Sequence, residues 1–168
     1  MILTRDNGFQ ELRWIGRRDL SALALAAQPR FIPVRIGRGA LGLNLPDRDM
    51  LVSPQHRMLV EGALAEMYFG EAEVLVAATH MVGQPGIERA FPKGVSYLHL
   101  LFDRHEILSV DGVWTESLQP AQRMVDAMED EDRNEIIQIF HDLAIEETEF
   151  SAARRTLKAH EARVLLAA

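Results

Sequence analysis

The chain of 168 residues is long enough for one domain with a buried hydrophobic core. Its net charge of −7 argues against nucleic acid as a partner, because neutralising phosphates requires a basic patch. It contains no cysteine, which excludes disulfide bonds and the common cysteine-based zinc spacings. The first residues lack the apolar core of a signal peptide, and no stretch is long and uncharged enough to span a membrane. We therefore expect a soluble protein, either cytoplasmic or part of a secreted protein.

The beginning of the chain is typical of a β-hairpin. Residues 2–4 and 9–15 form two apolar stretches on either side of Asp6-Asn7-Gly8. An Asn-Gly step tolerates the positive φ angles of a tight turn, so the two stretches are predicted to pair. The first of these strands is short, and we expect that a segment which would normally precede it is missing.

Strand patterns continue as far as residue 116. A helical turn is predicted over residues 20–27, a turn at Glu61-Gly62 and a long loop over 83–94, where prolines and glycines are frequent. The predicted strands cover residues 33–36, 50–52, 57–60, 73–78, 95–102, 106–110 and 113–116. Asp111-Gly112 is a hairpin signal between the last two strands.

At Pro120 the pattern changes, because no glycine or proline follows it. Proline suits a first helical position. Ile136, Ile137, Ile139 and Phe140 recur at helical spacing, and a second stripe predicts a final helix that starts near Thr148 or Ser151 and contains Phe150, Ala153, Leu157, His160 and Val164. The sequence thus predicts a mainly β domain over residues 1–119 and a helical extension over residues 120–168.

Ser53 and His56 stand three residues apart on the predicted connection between two strands. A hydroxyl and an imidazole at this spacing can both point at one peptide group. His56 can protonate a leaving amine, because the pKa of histidine lies near neutral pH. An ordinary turn serine and a surface histidine have the same spacing, so spacing alone leaves both interpretations open.

A second polar cluster consists of His99, Asp103 and His105. His99 and His105 become partners of His56 if the fold brings the two segments together. Alternatively, both are strand histidines with ordinary hydrogen bonds. Convergence of all three histidines would also suit zinc. However, no His-Glu-x-x-His motif occurs, and we expect neither a metal nor another cofactor.

Taken in this order, the segments resemble the Hedgehog/intein (Hint) domain superfamily, and in particular the bacterial Hint-type domains of large, often secretion-associated alphaproteobacterial proteins. They cover most of residues 1–120. The matching pieces are Thr4-Arg5-Asp6-Asn7-Gly8, Leu12-Arg13-Trp14-Ile15-Gly16, Leu45-Pro46-x-Arg48-Asp49, Leu51-Val52-Ser53-Pro54-Gln55-His56-Arg57, Tyr97-x-His99, Phe102-Asp103-Arg104-His105-Glu106 and Asp111-Gly112-x-Trp114-Thr115-Glu116-Ser117.

The resemblance implies a horseshoe-like, mostly antiparallel β fold and self-catalysed cleavage of a peptide bond. In the family, a cysteine that opens the domain attacks the preceding peptide bond in an N-to-S acyl shift, so the substrate is a flanking segment of the same polypeptide. By resemblance, Ser53 and His56 activate that bond. Asp103 and His105 stand where the family has a later aspartate/histidine block, with His99 as a supporting residue.

Two departures from the family pattern limit this expectation. The opening Cys-Phe-x-x-Gly-Thr type segment would precede Met1, and no His-Asn pair closes the β region to complete splicing. We therefore expect an N-terminally truncated Hint domain that does not cleave itself as given. A missing first strand would leave an open sheet edge, which self-association or a segment supplied in trans would cover. The alternative is a non-catalytic interaction domain, with the β body as scaffold and the helical tail as partner site.

Overall fold

A computed structural model describes residues 1–119 and 152–167, and these two parts of the chain are mainly β. The strands are β1 (Ile2–Thr4), β2 (Gly8–Gln10), β3 (Trp14–Ser21), β4 (Val34–Ile36), β5 (Met50–Val52), β6 (Arg57–Glu61), β7 (Glu73–Ala77), β8 (Ile87–Arg89), β9 (Gly94–Leu101), β10 (Ile107–Val110), β11 (Val113–Glu116) and β12 (Arg155–Thr156). The helices are α1 (Ala22–Ala27), α2 (Ala63–Phe69), α3 (Ala78–Met81) and α4 (Ala159–Leu166), with a 3-10 turn at Pro29–Phe31.

The described strands form three sheets. The largest has the order β12-β7-β6-β11-β10-β1-β2, in which all neighbours are antiparallel except the parallel pair of β12 and β7. β3 and β9 form a long antiparallel ribbon, and β4 lies between β5 and β8. This architecture confirms the predicted mainly β, mostly antiparallel fold class. Within the described residues, no helix has the length and apolar character that crossing a membrane requires.

Both predicted hairpin turns are confirmed, but the strand predicted over residues 9–15 is wrong in extent: only Gly8–Gln10 pairs with β1, and Trp14–Ser21 pairs with β9 instead. Asp111 and Gly112 have φ angles of 49° and 82°, and they connect β10 to β11 through the pair Val110↔Val113. Two left-handed residues match the right-handed twist of the flanking strands, which explains the Asp-Gly preference. Gly8, with a φ of 64°, ends the turn between β1 and β2.

The hydrophobic core joins the sheets to three helices. It combines residues of β4, β5 and β8 with residues of β6, β7 and β11 from the large sheet, and α2, α3 and α4 close it from outside. Met58 and Val76, on neighbouring strands, are fully buried. Each fully buried side chain of this size contributes roughly 1.5–3 kcal/mol to folding, so the core fixes the strands on which the polar residues described below lie.

Two elements differ from the sequence prediction in the middle of the chain. The turn predicted at Glu61-Gly62 is followed at once by α2, which buries Ala65 in the core. The loop predicted over residues 83–94 contains β8, which pairs with β4. Both elements are short, and their burial or pairing depends on distant parts of the chain.

The predicted final helix is wrong at its beginning. Arg155 and Thr156 are extended and pair with Val74 and Leu75, and the helix begins only at Ala159. The backbone groups of residues 155–156 complete the edge of a sheet, a tertiary effect that helical spacing does not reveal. The helix signals at residues 120, 136–140 and 150, and the proposed caps at 148 and 151, lie outside the described residues.

Candidate functional site

The turn from Ser53 to His56 joins the three-stranded sheet to the seven-stranded sheet. β5 ends just before it and β6 begins just after it. The His56 N–H donates to the Ser53 carbonyl at 3.0 Å and closes the turn. The N–H groups of Ala78 and Thr79 donate to the carbonyls of His56 and Pro54, at 2.8 and 2.9 Å. These bonds fix the backbone from which the Ser53 and His56 side chains project.

The His56 ring is hydrogen-bonded to Thr115 on β11, a residue with 3% of its surface exposed. Nε2 of His56 contacts Thr115 Oγ1, and Oγ1 lies 3.0 Å from the carbonyl oxygen of Arg57. A hydroxyl carries one proton, so when it donates to that carbonyl it accepts from the Nε2–H of His56. This arrangement assigns the lone pair of the neutral ring to Nδ1, which can then accept a proton or bind a peptide N–H.

Burial lowers the pKa of His56 below the usual histidine value, because the charged ring would lose its hydration. The Glu116 carboxylate acts in the opposite direction and raises the pKa, whereas His99 and Arg57 lower it further. His56 is therefore neutral in the resting protein at neutral pH. Among these neighbours, Glu116 alone favours the protonated ring.

His105 is buried beside the same carboxylate. Its side chain has no exposed surface, and its Nε2 lies 3.3 Å from Oε2 of Glu116. Its Nδ1 accepts the backbone N–H of Ala153 at 3.0 Å, which places the ring proton on Nε2. No atom of the described residues gives Nε2 a well-aligned hydrogen bond, so its contact with Glu116 is mainly electrostatic.

Glu116 also binds Arg57 at two points. Oε1 accepts the backbone N–H of Arg57 at 3.0 Å, and Oε2 accepts its Nη1 at 2.9 Å. The antiparallel register that sets Thr115 opposite Met58 brings the two residues together on neighbouring strands. The Glu116 side chain is only 10% exposed, so solvent and salt screen these charge-assisted bonds weakly.

His99 and Asp103 occupy different surroundings. His99 lies on β9 opposite Gly16, close enough to His56 to disfavour its protonation. Asp103 is 69% exposed and forms an ion pair with Arg13 at 3.4 Å. It lines a cleft of about 390 Å³ together with Asn7, Gln10, Arg104 and Glu106. In the part of the chain that the structure describes, no hydrogen bond or ion pair joins Asp103 to His56 or His105.

Ser53 is partly buried, and its hydroxyl has no hydrogen-bond partner in the described ranges 1–119 and 152–167. The hydroxyl is thus available to a peptide group. Across the same ranges, no group of three or more His, Asp or Glu side chains could hold a metal ion. His56, His99 and His105 therefore do not converge as a zinc site would require.

Comparison with known protein families adds one decisive match. A sequence model of the Hint domain family matches residues 1–122. The chain belongs to the Hint domain family. This confirms the predicted membership of the Hint superfamily, and at the level of the family it makes the chain a domain of the autoprocessing type. Neither a search of curated proteins nor a search of solved structures found a match for the chain.

Sequence reasoning missed three residues of this Hint domain. Arg57, Thr115 and Glu116 all stand in the segments that resemble the family, but no role was assigned to them. The available signal was that Arg57 begins one apolar strand and Glu116 ends another. Only the register of β6 against β11 shows that their side chains meet.

Proposed function

We propose that this Hint domain activates a peptide bond of its own polypeptide for an N-to-S acyl shift, with a cysteine supplied by a segment outside residues 1–168. The observation that carries the proposal is the rigid turn bearing Ser53 and His56. The Ser53 hydroxyl is available, and the hydrogen bond of Nε2 to Thr115 leaves His56 Nδ1 as the acceptor. Two such groups on one turn suit the carbonyl and the nitrogen of a single peptide unit.

The reaction converts a peptide bond into a thioester. The cysteine Sγ attacks the carbonyl carbon of the preceding peptide, the C–S bond forms, and the C–N bond breaks. The thiol proton passes to Nδ1 of His56 and from there to the departing nitrogen, while the Ser53 hydroxyl donates a hydrogen bond to the carbonyl oxygen. A thiol or water then attacks the thioester and releases the preceding segment.

Asp103 and His105 are proposed to act on the same flanking segment. Asp103 is exposed at the cleft beside Asn7 and Arg104, where a peptide can reach it. His105 lines a second cleft of about 470 Å³ together with Asp6, Asn7, Arg104 and residues 152–154. His99 contributes through its proximity to His56.

Residues 1–168 alone are proposed to be inactive in this reaction, because no side chain in the sequence is a thiol. The supplying segment is either continuous with the chain or added in trans. The outer edge of β2 offers it a place to pair, since β2 is the last strand of the large sheet and its central residue, Phe9, is 64% exposed. Self-association at this edge would compete with that pairing.

A fusion tests the proposal directly. A reporter followed by a family-like Cys-Phe-x-x-Gly-Thr segment is placed in frame before Met1, and the products are followed by mass spectrometry with and without an added thiol. We expect thiol-dependent cleavage before the new cysteine, and its loss in His56→Ala. Ser53→Ala should slow cleavage by ~10–100-fold, at or somewhat below the effect of losing one hydrogen-bond donor to the oxyanion.

His160→Ala is the matched control, because His160 lies exposed on α4 and should leave cleavage unchanged. A fusion that folds but never cleaves would contradict the proposal and favour the non-catalytic scaffold. Cleavage that persists in His56→Ala would equally contradict it. Circular dichroism and thermal melts of each variant separate a failed reaction from a failed fold.

A further inference from the structure

We propose that Glu116 is a positioning residue of this site: it anchors the strand that follows His56 and balances the charge around His56 and His105. The inference rests on the proposed function where the reaction is concerned. The contacts that carry it belong to the folded chain and can be tested without any cleavage.

The first part of the role is mechanical. Oε1 of Glu116 accepts the backbone N–H of Arg57, the residue directly after His56. Its neighbour Thr115 holds the His56 ring through Nε2. Two consecutive residues of β11 thus fix both the ring of His56 and the peptide that follows it. Rotation of the imidazole away from the turn would break the bond to Thr115, and displacement of the strand would break the bonds to Glu116.

The second part of the role is electrostatic. The charged and titratable groups that act on His56 are Glu116 from β11, Arg57 from β6 and His99 from β9. Glu116 alone carries negative charge, and it also binds the Arg57 guanidinium at 2.9 Å. Without this carboxylate, a buried imidazole would face one uncompensated cation and a second histidine. Protonation of His56, which the departing amine requires, would become less favourable.

The third part of the role concerns His105. Glu116 Oε2 lies 3.3 Å from Nε2 of His105, whose Nδ1 accepts the Ala153 N–H. The same carboxylate oxygen therefore faces Arg57 and the buried His105 ring. His105 has no hydration to replace this partner, because its side chain has no exposed surface. Among the described residues, Glu116 is the carboxylate that acts on both His56 and His105.

Titration of the histidine side chains by NMR tests the inference in the 168-residue protein. In Glu116→Gln, which keeps the shape and removes the charge, we expect the pKa of His56 to fall below its wild-type value. Glu116→Asp keeps the charge on a shorter side chain, so the pKa should return towards that of the wild type. His56→Ala assigns the resonance, and exposed His160 serves as the internal reference.

Glu88→Gln is the matched control. Glu88 binds Arg35 at 3.1 Å on the three-stranded sheet and is 65% exposed, so its loss should leave the His56 titration unchanged. A folded Glu116→Gln protein in which His56 titrates as in the wild type would overturn the inference. The same would follow if Glu116→Asp lowered the His56 pKa as far as Glu116→Gln does, since the charge would then be irrelevant.

The cysteine-bearing fusion adds the readout for the reaction. Glu116→Gln should slow thiol-dependent cleavage at least ~10-fold, because general acid catalysis depends on a protonated His56. The rate maximum should also move to lower pH together with the His56 pKa. If Glu116→Gln lowers the His56 pKa but no fusion cleaves, the proposed function fails while the electrostatic role of Glu116 stands. If the fusions cleave and Glu116→Gln leaves their pH profile unchanged, the positioning role of Glu116 is wrong while the proposed function stands.

Discussion

Arg57 and Arg35 each bind carboxylates across neighbouring strands, but in very different surroundings. Arg57 binds Glu116, which is 10% exposed and faces two histidines. Arg35 binds Asp49 and Glu88, which are 50% and 65% exposed. The chemistry of the two contacts is the same. Burial makes the first contact able to alter the protonation of a neighbouring ring, whereas water screens the second.

A third group of charges lies between these extremes. We call it the hairpin ion cluster: Arg5, Asp6, Glu61, Glu73 and Arg154. Arg154 binds Asp6 and Glu73 at 2.6 Å each, and Arg5 binds Glu73 from the other side. Glu73 and Arg154 are 22% and 24% exposed. The side chains of Glu116, Arg154 and Arg35, one from each group, are 10%, 24% and 39% exposed, and their substitutions should have effects that decrease in this order.

The largest effect is expected for Glu116→Ala. Removal of this carboxylate leaves Arg57 and buried His105 without their common partner, which should lower the free energy of unfolding by about 3 kcal/mol. Urea denaturation followed by tryptophan fluorescence measures the change. Glu88→Ala, the equivalent truncation on the exposed sheet, is the control. Equal losses in the two variants would contradict the distinction drawn from burial.

A smaller effect is expected for Arg154→Ala. This substitution removes the bridge from residues 152–157 to Asp6 and Glu73, and we expect a loss of about 1–2 kcal/mol in the free energy of unfolding. Arg163→Ala is the matched control, because Arg163 is exposed on α4 and its side chain donates a hydrogen bond to the Ala159 carbonyl of the same helix. Hydrogen exchange should show faster opening of β12 in Arg154→Ala, and unchanged exchange there would argue against the bridge.

The hairpin ion cluster should also respond to acid. The hydrogen bond from Arg5, and then that from Arg154, lower the pKa of Glu73 below its usual value of 4.5. The folded protein thus binds this proton less readily than the unfolded chain, and the stabilisation is present above about pH 4.5 and lost as the pH falls through the lower folded pKa. Stability measured against pH should decline less steeply in Glu73→Gln. Parallel curves would exclude Glu73 as a source of the acid dependence.

The smallest effect is expected for Arg35→Ala. The guanidinium binds Asp49 and Glu88 on the surface of the three-stranded sheet, where water competes for every contact. The unfolding midpoint should stay close to that of the wild type, and added salt should remove any remaining difference. A loss as large as that of Glu116→Ala would show that exposure does not rank these contacts.

Local patterns made the hairpins and the strand at residues 113–116 predictable. The two residues Asp111 and Gly112 are sufficient to predict the turn. Val113 and Thr115 are buried and alternate with more exposed residues, a local pattern that predicts a strand without knowledge of its partners. β12 was not predictable in this way. Its two residues, Arg155 and Thr156, are exposed and lie in a sequence with helical spacing, and only the open edge of β7 makes them a strand.

The candidate site was predictable to a similar extent. Ser53 and His56 belong to one turn, so their spacing in the sequence already suggested a common target. Glu116 reaches Arg57 across 59 positions of the chain, and Thr115 reaches His56 across an equal separation. The sequence does not show that a carboxylate at the end of a strand contacts Arg57, because this depends on the register of β6 and β11.

The bond between Ala153 and His105 also has a consequence for the order of events during synthesis. Its donor follows its acceptor by 48 positions in the chain, and β12 follows the whole of the large sheet to which it pairs. Ribosomes release the N-terminal part of a chain first. A nascent chain therefore displays the Ser53–His56 turn well before residues 153–157 emerge. The hydrogen bond to His105 can form only after Ala153 has emerged from the ribosome. The surroundings of His105 are therefore completed later than the Ser53–His56 turn is synthesised.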